Sequence, residues 1–269
     1  MKEARVSAIL LAAGLSRRAG GRDKLLFEFG GKTLLQRAIE LMDSIPFYEK
    51  ILVTTNIRLE YIENLRSRRP APKRGGTGVG TGIGAETGAG TGTGAGTGTG
   101  TGAGVRTGAC TEVRKETGTE AWTEAGTAAT VGVYHLPAGI KTVINPSPET
   151  GQSGSLRLGL EAASGDWYLF LAADQPMLRP DSLRLMISIA GENADKIVFP
   201  SVNGKPGSPC LFPARFREDL LNIRGDVGGR EVRDKYPSHC VAFRAENPDE
   251  YIDADSEDDL RLLCMGVAR

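Results

Sequence analysis

The residues best suited to chemistry in this chain lie where an apolar run, Val6 to Ala12, breaks at Ala13-Gly14. Three arginines follow, Arg17, Arg18 and Arg22, with two further glycines, Gly20 and Gly21, and then Asp23-Lys24. A buried strand that opens into a glycine-bearing cationic loop suits a polyphosphate. Glycine lets backbone N–H groups approach the anion closely, and arginine and lysine supply charge. The spacing is neither the Walker pattern, since no G-K-[ST] follows, nor G-x-G-x-x-G. The alternative is a basic surface loop after any Rossmann-like strand. A second apolar run, Trp167 to Ala173, delivers Asp174-Gln175-Pro176 to its carboxyl end. An aspartate there can hold Mg²⁺ through oxygen, leaving positions for water and phosphate oxygens, or it can cap the following turn. Both features together favour the metal.

These residues must be placed by the elements around them. Strand-like runs are Val6–Ala12, Lys50–Thr55, Lys141–Ile144, Trp167–Ala173, Lys196–Pro200 and Cys240–Arg244. Helix-like segments are Thr33–Ser44, Ile57–Arg68, Ser153–Ala163, Pro180–Ala190, Pro213–Ile223 and Ser256–Cys264. In the first of these Leu34, Leu35, Ala38, Ile39, Leu41 and Met42 form a stripe at helical spacing, which is core rather than site. Alternating strands and helices predict an α/β fold, a mostly parallel open sheet with helices on both faces. Ligands in such sheets sit at the carboxyl ends of the strands, so the cationic loop and Asp174 should face one site.

The bulk composition narrows the function. Lys plus Arg and Asp plus Glu each number 33 in the 269 residues, giving a formal net charge of zero. No global basic field recruits nucleic acid or an anionic membrane. Met1 to Arg5 leads straight into a strand without a signal-peptide core, and no apolar run approaches the ~20 residues that span a bilayer. Cys110, Cys210, Cys240 and Cys264 show no metal spacing and read as free thiols. The expectation is a soluble cytoplasmic protein. Its two histidines, His135 and His239, receive no role.

Composition changes abruptly after Arg74, where glycine begins to alternate with Thr or Ala. Such a stretch has almost no side chain to bury, and ordering glycine is entropically expensive. A dinucleotide fingerprint fails on parity. From Gly76 to Gly132 every glycine sits at an even position, whereas G-x-G-x-x-G needs a three-residue step. Residues 69–138 are therefore read as a low-complexity insertion, expected to be disordered, and residues 1–68 and 139–269 as a single domain of about 200 residues.

The motifs in order resemble those of the molybdenum cofactor nucleotidyltransferases, within the NTP transferase superfamily, and most closely the cytidylyltransferase branch. Leu11, Ala12, Ala13, Gly14, Ser16, Arg18, Gly20 and Lys24 fit L-A-[AG]-G-x-S-x-R-M-G-x-x-K, with Ala19 in place of Met and one extra residue before Lys24. Asp174-Gln175-Pro176 matches D-x-P, with Ala173 where glycine is usual. Gly151 to Leu156 resembles the G-x-S-x-S-L segment, Gly204 to Pro209 resembles G-x-P-G-H-P with Ser208 in place of the histidine, and Gly225 to Arg230 resembles G-D-x-G-x-R. Ile252 to Leu260 resembles I-D-I-D-T-P-E-D-L.

The resemblance implies a Rossmann-like nucleotidyltransferase fold and Mg²⁺-dependent transfer of CMP from CTP to the molybdenum cofactor, with release of pyrophosphate. A molybdenum hydroxylase would receive the product. It implies Arg18, Lys24 and Asp174 as catalytic residues, and Leu11, Ala12, Ala13, Gly14, Ser16, Lys24, Ser153 and Ser155 as the nucleotide site. Gly207, Ser208 and Arg230 would border the acceptor, and Asp174 and Asp255 would hold the metal, with Asp253 the second choice to Asp255. Residue by residue, Ser153 also reads as a helix N-cap, Asp255 or Ser256 as another, and Arg230 as an exposed helix cation. GTP as donor, another phosphorylated acceptor, and a non-catalytic accessory protein of the hydroxylase are the other readings.

Overall fold

The structure, a computed structural model, describes residues 4–14, 23–67 and 136–265. The chain begins with β1 (Val6–Ala12), a hairpin of β2 (Glu28–Phe29) and β3 (Lys32–Thr33), α1 (Leu34–Asp43), β4 (Glu49–Thr54) and α2 (Asn56–Ser67). It continues with β5 (Ile140–Ile144), α3 (Gln152–Glu161), β6 (Trp167–Ala172), α4 (Pro180–Glu192) and β7 (Ile197–Val202). The last elements are β8 (Lys205–Pro206), β9 (Cys210–Pro213), α5 (Arg217–Asn222), α6 (Arg230–Lys235), β10 (Cys240–Arg244) and α7 (Glu257–Cys264).

The strands join in the order β10-β7-β9-β6-β1-β4-β5, with β8 pairing to β7. β1 lies in the middle, parallel to both β4 and β6. The chain moves out through β4 and β5, then returns to the other side of β1 for β6. That reversal opens a crevice at the carboxyl ends of β1 and β6. β9 runs antiparallel between β6 and β7. The sheet is thus mostly parallel, and its class is the one expected.

Alternation along the strands fills a core on each face. Ala8, Leu10 and Ala12 of β1 meet Leu35, Ile39 and Met42 of α1 and Leu183 and Met186 of α4 on one side. Ile9 joins Leu156 and Leu160 of α3 and Leu220 of α5 on the other. Complete burial of each such large aliphatic side chain contributes about 1.5–3 kcal/mol, which anchors the strand that carries the site.

Several elements differ from the expectation. The predicted helix Pro213–Ile223 divides, because Pro213 closes β9, residues 214–216 form a 3₁₀ turn and α5 starts at Arg217. β9 is short and flanked by prolines, a pattern that argues against a strand when read alone. The β2–β3 hairpin turns on Gly30 and Gly31, whose φ values of 60° and 76° favour glycine. Ser153 is not the cap of α3; that position belongs to Gly151.

No helix among the described residues is long and apolar enough to cross a membrane, and Cys210 and Cys240 are free thiols. All but the last positions of 69–138 lie outside the described residues, as do Cys110 and His135. Leu136 packs against the first core layer. Because β5 is parallel to β4, it starts at the end of the sheet opposite the crevice.

Glu49 stitches three chain segments together. It accepts from Ser7 Oγ at 2.6 Å, from Ser164 N at 2.8 Å and from Ser164 Oγ. Burial alone would raise its carboxyl pKa, but these hydrogen bonds hold it below the ordinary value. The folded value lies below the unfolded one, so the stabilisation is present at neutral pH and lost as pH falls through the lowered value. Glu49→Gln should cost about 1 kcal/mol at pH 7 in denaturant unfolding, and the gap should close in acid. Excising residues 75–130 should leave one cooperative melting transition near the full-length Tm, read by circular dichroism; its loss would give the insertion a structural role.

Candidate active site

A cleft of about 1120 Å³ opens at the carboxyl ends of β1 and β6. Leu11, Ala13, Gly14, Lys24, Ser155, Asp174, Gly207, Ser208, Arg230 and Asp255 all line it. Ala12 and Ser153 do not: Ala12 is fully buried in the core, and Ser153 is buried in the first turn of α3. Ser16 and Arg18 lie outside the described residues.

Three distant parts of the chain meet on one ammonium. Lys24 Nζ donates to Asp174 Oδ2 at 2.5 Å and to Asp255 Oδ1 at 2.7 Å. Burial alone would lower the lysine pKa, but the two carboxylates override this and raise it. Asp174 extends from the end of β6, and its carbonyl accepts from Ala254 N at 2.8 Å, which brings the chain around Asp255 to the cleft. Ser256 caps α7 through a reciprocal pairing with Asp259, so the caps do not need the Asp255 carboxylate. Asp174 likewise turns its carboxylate to Lys24 rather than to a turn N–H.

Asp253 also lines the cleft. Although its surface is exposed, the surrounding walls strip water from its carboxyl, and Asp174 and Asp255 add repulsion. Gln175 and Lys24 oppose this only in part, and the carboxyl is pushed up to about 6. Among the described residues, no three or more His, Cys, Asp or Glu side chains form a ready metal cage. Asp174 Oδ1 is nevertheless buried without a hydrogen-bond partner. A hard oxygen donor in that state, beside the Asp255 carboxylate, fits a divalent cation that keeps water and phosphate oxygens as its remaining ligands.

The walls are tied to this floor. Gln175, buried after Asp174, donates from Nε2 to Ser208 O at 3.3 Å and to Tyr251 O at 3.4 Å. Gly151, with φ of 88°, lies so close to Gly225 and Asp226 that an added Cβ would meet their backbone at 2.9 Å. Ser153 N donates to Gly225 O at 3.2 Å, and Gln152 N donates to Asp226 Oδ1 at 3.2 Å. On the far wall Arg230 and Lys205 are exposed cations, while Arg233 is buried over the Phe199 ring and donates to Gly207 O. The sequence reading missed Gln175, Lys205 and Arg233. Each sits next to a motif residue or within a short element, and its role appears only when the loops converge. His239 does not line the cleft.

A family model described as a MobA-like NTP transferase domain matches residues 8–240. No curated protein matches the chain by sequence. Among solved structures, a Mycobacterium tuberculosis Rv0371c homolog from Mycobacterium sp. strain JC1 has a TM-score of 0.62 and 18% identity, covering 98% of this chain and 96% of that one. A nucleotidyl transferase from Methanothermobacter thermautotrophicus, Mth528, has a TM-score of 0.61 at 18% identity, covering 98% and 97%. Rv0371c of Mycobacterium tuberculosis H37Rv in complex with manganese has a TM-score of 0.57 at 17% identity, covering 98% and 100%. At these identities the likeness is one of fold.

Lys24→Met should remove the ammonium that Asp174 and Asp255 share. Because the pair is only partly buried, the expected loss is about 1–3 kcal/mol in denaturant unfolding at pH 7. Unchanged stability at pH 7 would show that the ammonium does not hold the cleft together.

Proposed function

We propose that this chain, which belongs to the family of MobA-like NTP transferase domains, moves CMP from CTP to the phosphate of the molybdenum cofactor and releases pyrophosphate. Nucleotidyl transfer itself follows from the family. The observation that carries the site assignment is the meeting of Lys24 with Asp174 and Asp255 on the floor of one wide cleft. At about 1120 Å³ the cleft exceeds the ~300–1,000 Å³ of common small-molecule pockets, room enough for a donor and an acceptor side by side. Ala13, which completes L-A-A-G, lines it and supports the cytidylyl choice, as do the segments Gly225 to Arg230 and Ile252 to Leu260.

The reaction needs no strong base. A phosphate monoester has its second pKa near ~6 and is largely dianionic at pH 7. The protein has to bring two anions together for in-line attack and neutralise the charge that builds on the leaving pyrophosphate. Gly14 and Lys24, with Ser16 and Arg18, hold the triphosphate, Lys24 exchanging a carboxylate for a phosphate oxygen. Ser155 faces the nucleoside from α3. Gly207, Ser208 and Arg230 border the acceptor, where arginine can meet a phosphate bidentately. Asp174 and Asp255 would hold Mg²⁺, which supplies charge screening on the phosphates when bound. Ala12 and Ser153 support this surface from behind, Ala12 through the core and Ser153 through its bond to Gly225.

Calorimetric titration with CTP, GTP, ATP and UTP in the presence of Mg²⁺ should show preferential CTP binding. A GTP preference moves the chain to guanylyl transfer, and no binding by folded protein favours the accessory role. Asp174→Asn should lower the transfer rate about 100-fold or more while leaving the melting transition intact; an active variant would remove Asp174 from the metal site.

A further inference from the structure

Arg58, in the first turn of α2, belongs to none of the motifs and does not line the cleft. It is only 3% exposed, and its guanidinium is thoroughly engaged. Nε donates to Asp23 Oδ2 at 2.5 Å and Nη2 to Asp23 Oδ1 at 2.7 Å. Nη1 donates to Ala12 O at 2.5 Å, and Nη2 also donates to Gly14 O at 2.6 Å. One buried side chain thus ties the chain leaving β1, at Ala12 and Gly14, to Asp23. Asp23 in turn accepts from Leu25 N at 3.1 Å and caps the 3₁₀ turn that opens with Lys24. An unbroken series of contacts therefore runs from Arg58 through Asp23 to Lys24, and from Lys24 to Asp174 and Asp255.

Only a planar fork can meet a carboxylate with two parallel bonds and two carbonyl oxygens with its remaining hydrogens. A lysine would supply the charge without the geometry. Fixing Gly14 and Lys24 on folding removes part of the ordering cost from nucleotide binding, and small displacements of such groups are expensive. We infer that Arg58 is a positioning residue of the nucleotide site, setting the place of Gly14 and, through Asp23, of Lys24. The inference rests on the reading of the cleft as a nucleoside triphosphate site.

The test uses the full chain and four forms of it: Arg58→Lys, Arg58→Ala, Asp23→Asn, and the double variant Arg58→Met/Asp23→Leu. The double variant replaces a buried ion pair by apolar groups, a change that often preserves stability. Each form is melted, then titrated with whichever of Mg²⁺-loaded CTP, GTP, ATP or UTP the wild type binds. Folded variants, the stable double variant included, should bind that nucleotide about 10- to 100-fold more weakly. In transfer assays the nucleotide KM should rise with the acceptor KM unchanged, and guanidinium ion should partly restore nucleotide binding to Arg58→Ala. A merely structural ion pair predicts instead that binding returns with stability in the double variant. Wild-type affinity in any folded variant overturns the role of Arg58. Failure of the wild type to bind any of the four nucleotides overturns the reading of the cleft, and the inference with it.

Discussion

A single ammonium between two carboxylates organises this molecule. Lys24 follows the central strand, Asp174 ends its neighbour and Asp255 precedes the last helix, so their contact closes the sheet's reversal into a cleft. Among the described residues the balance of charge there is negative. Lys24 faces Asp174, Asp253 and Asp255, and the upward shift of Asp253 is one way the protein lessens their repulsion. Asp174 Oδ1, buried without a hydrogen-bond partner, leaves an unsatisfied acceptor in the same corner. Cations and phosphates that enter the cleft together would complete what folding leaves incomplete.

Much of this was legible in the sequence because the strands at the centre are buried on both faces. Val6–Ala12 coincides with its strand, as does Cys240–Arg244 at the half-exposed edge, and the others shift by no more than two residues at either end. The floor of the site was legible for the same reason, since long apolar runs deliver Gly14 and Asp174 to one edge. The walls were less so. β9 and α6 are too short for periodicity to mark them, and prolines disguise the first. Asp255 and Ser256 competed for one capping role from sequence alone, and only the pairing of Ser256 with Asp259 separates them. Arg58 carries no local signature at all, because both its partners and its purpose are remote in sequence.

Floor and walls are built to different standards. The floor rests on strand ends and charge pairs, where displacement costs both packing and electrostatics. The walls are loops joined by backbone carbonyls, through Gln175 on one side and Gly151 against Gly225 on the other. Substitution in the walls can change the shape of the cleft while the floor stays fixed. Ser208, where the related motif has histidine, lies in a wall.

The connection between Ser67 and Leu136 divides the sheet unequally. β1, α1, β4 and α2 come before it, while β5, β6 and every later element come after. Lys24 and Arg58 thus sit on one side of the division, Asp174 and Asp255 on the other. A chain cut there would yield a first fragment, β1 with β4, that loses a strand partner on each side, and neither fragment would own a complete cleft. Reassociation would have to rebuild the β1–β6 and β4–β5 pairings and the ion pair in the same event, so catalysis in such a split protein would itself report the joining of its halves.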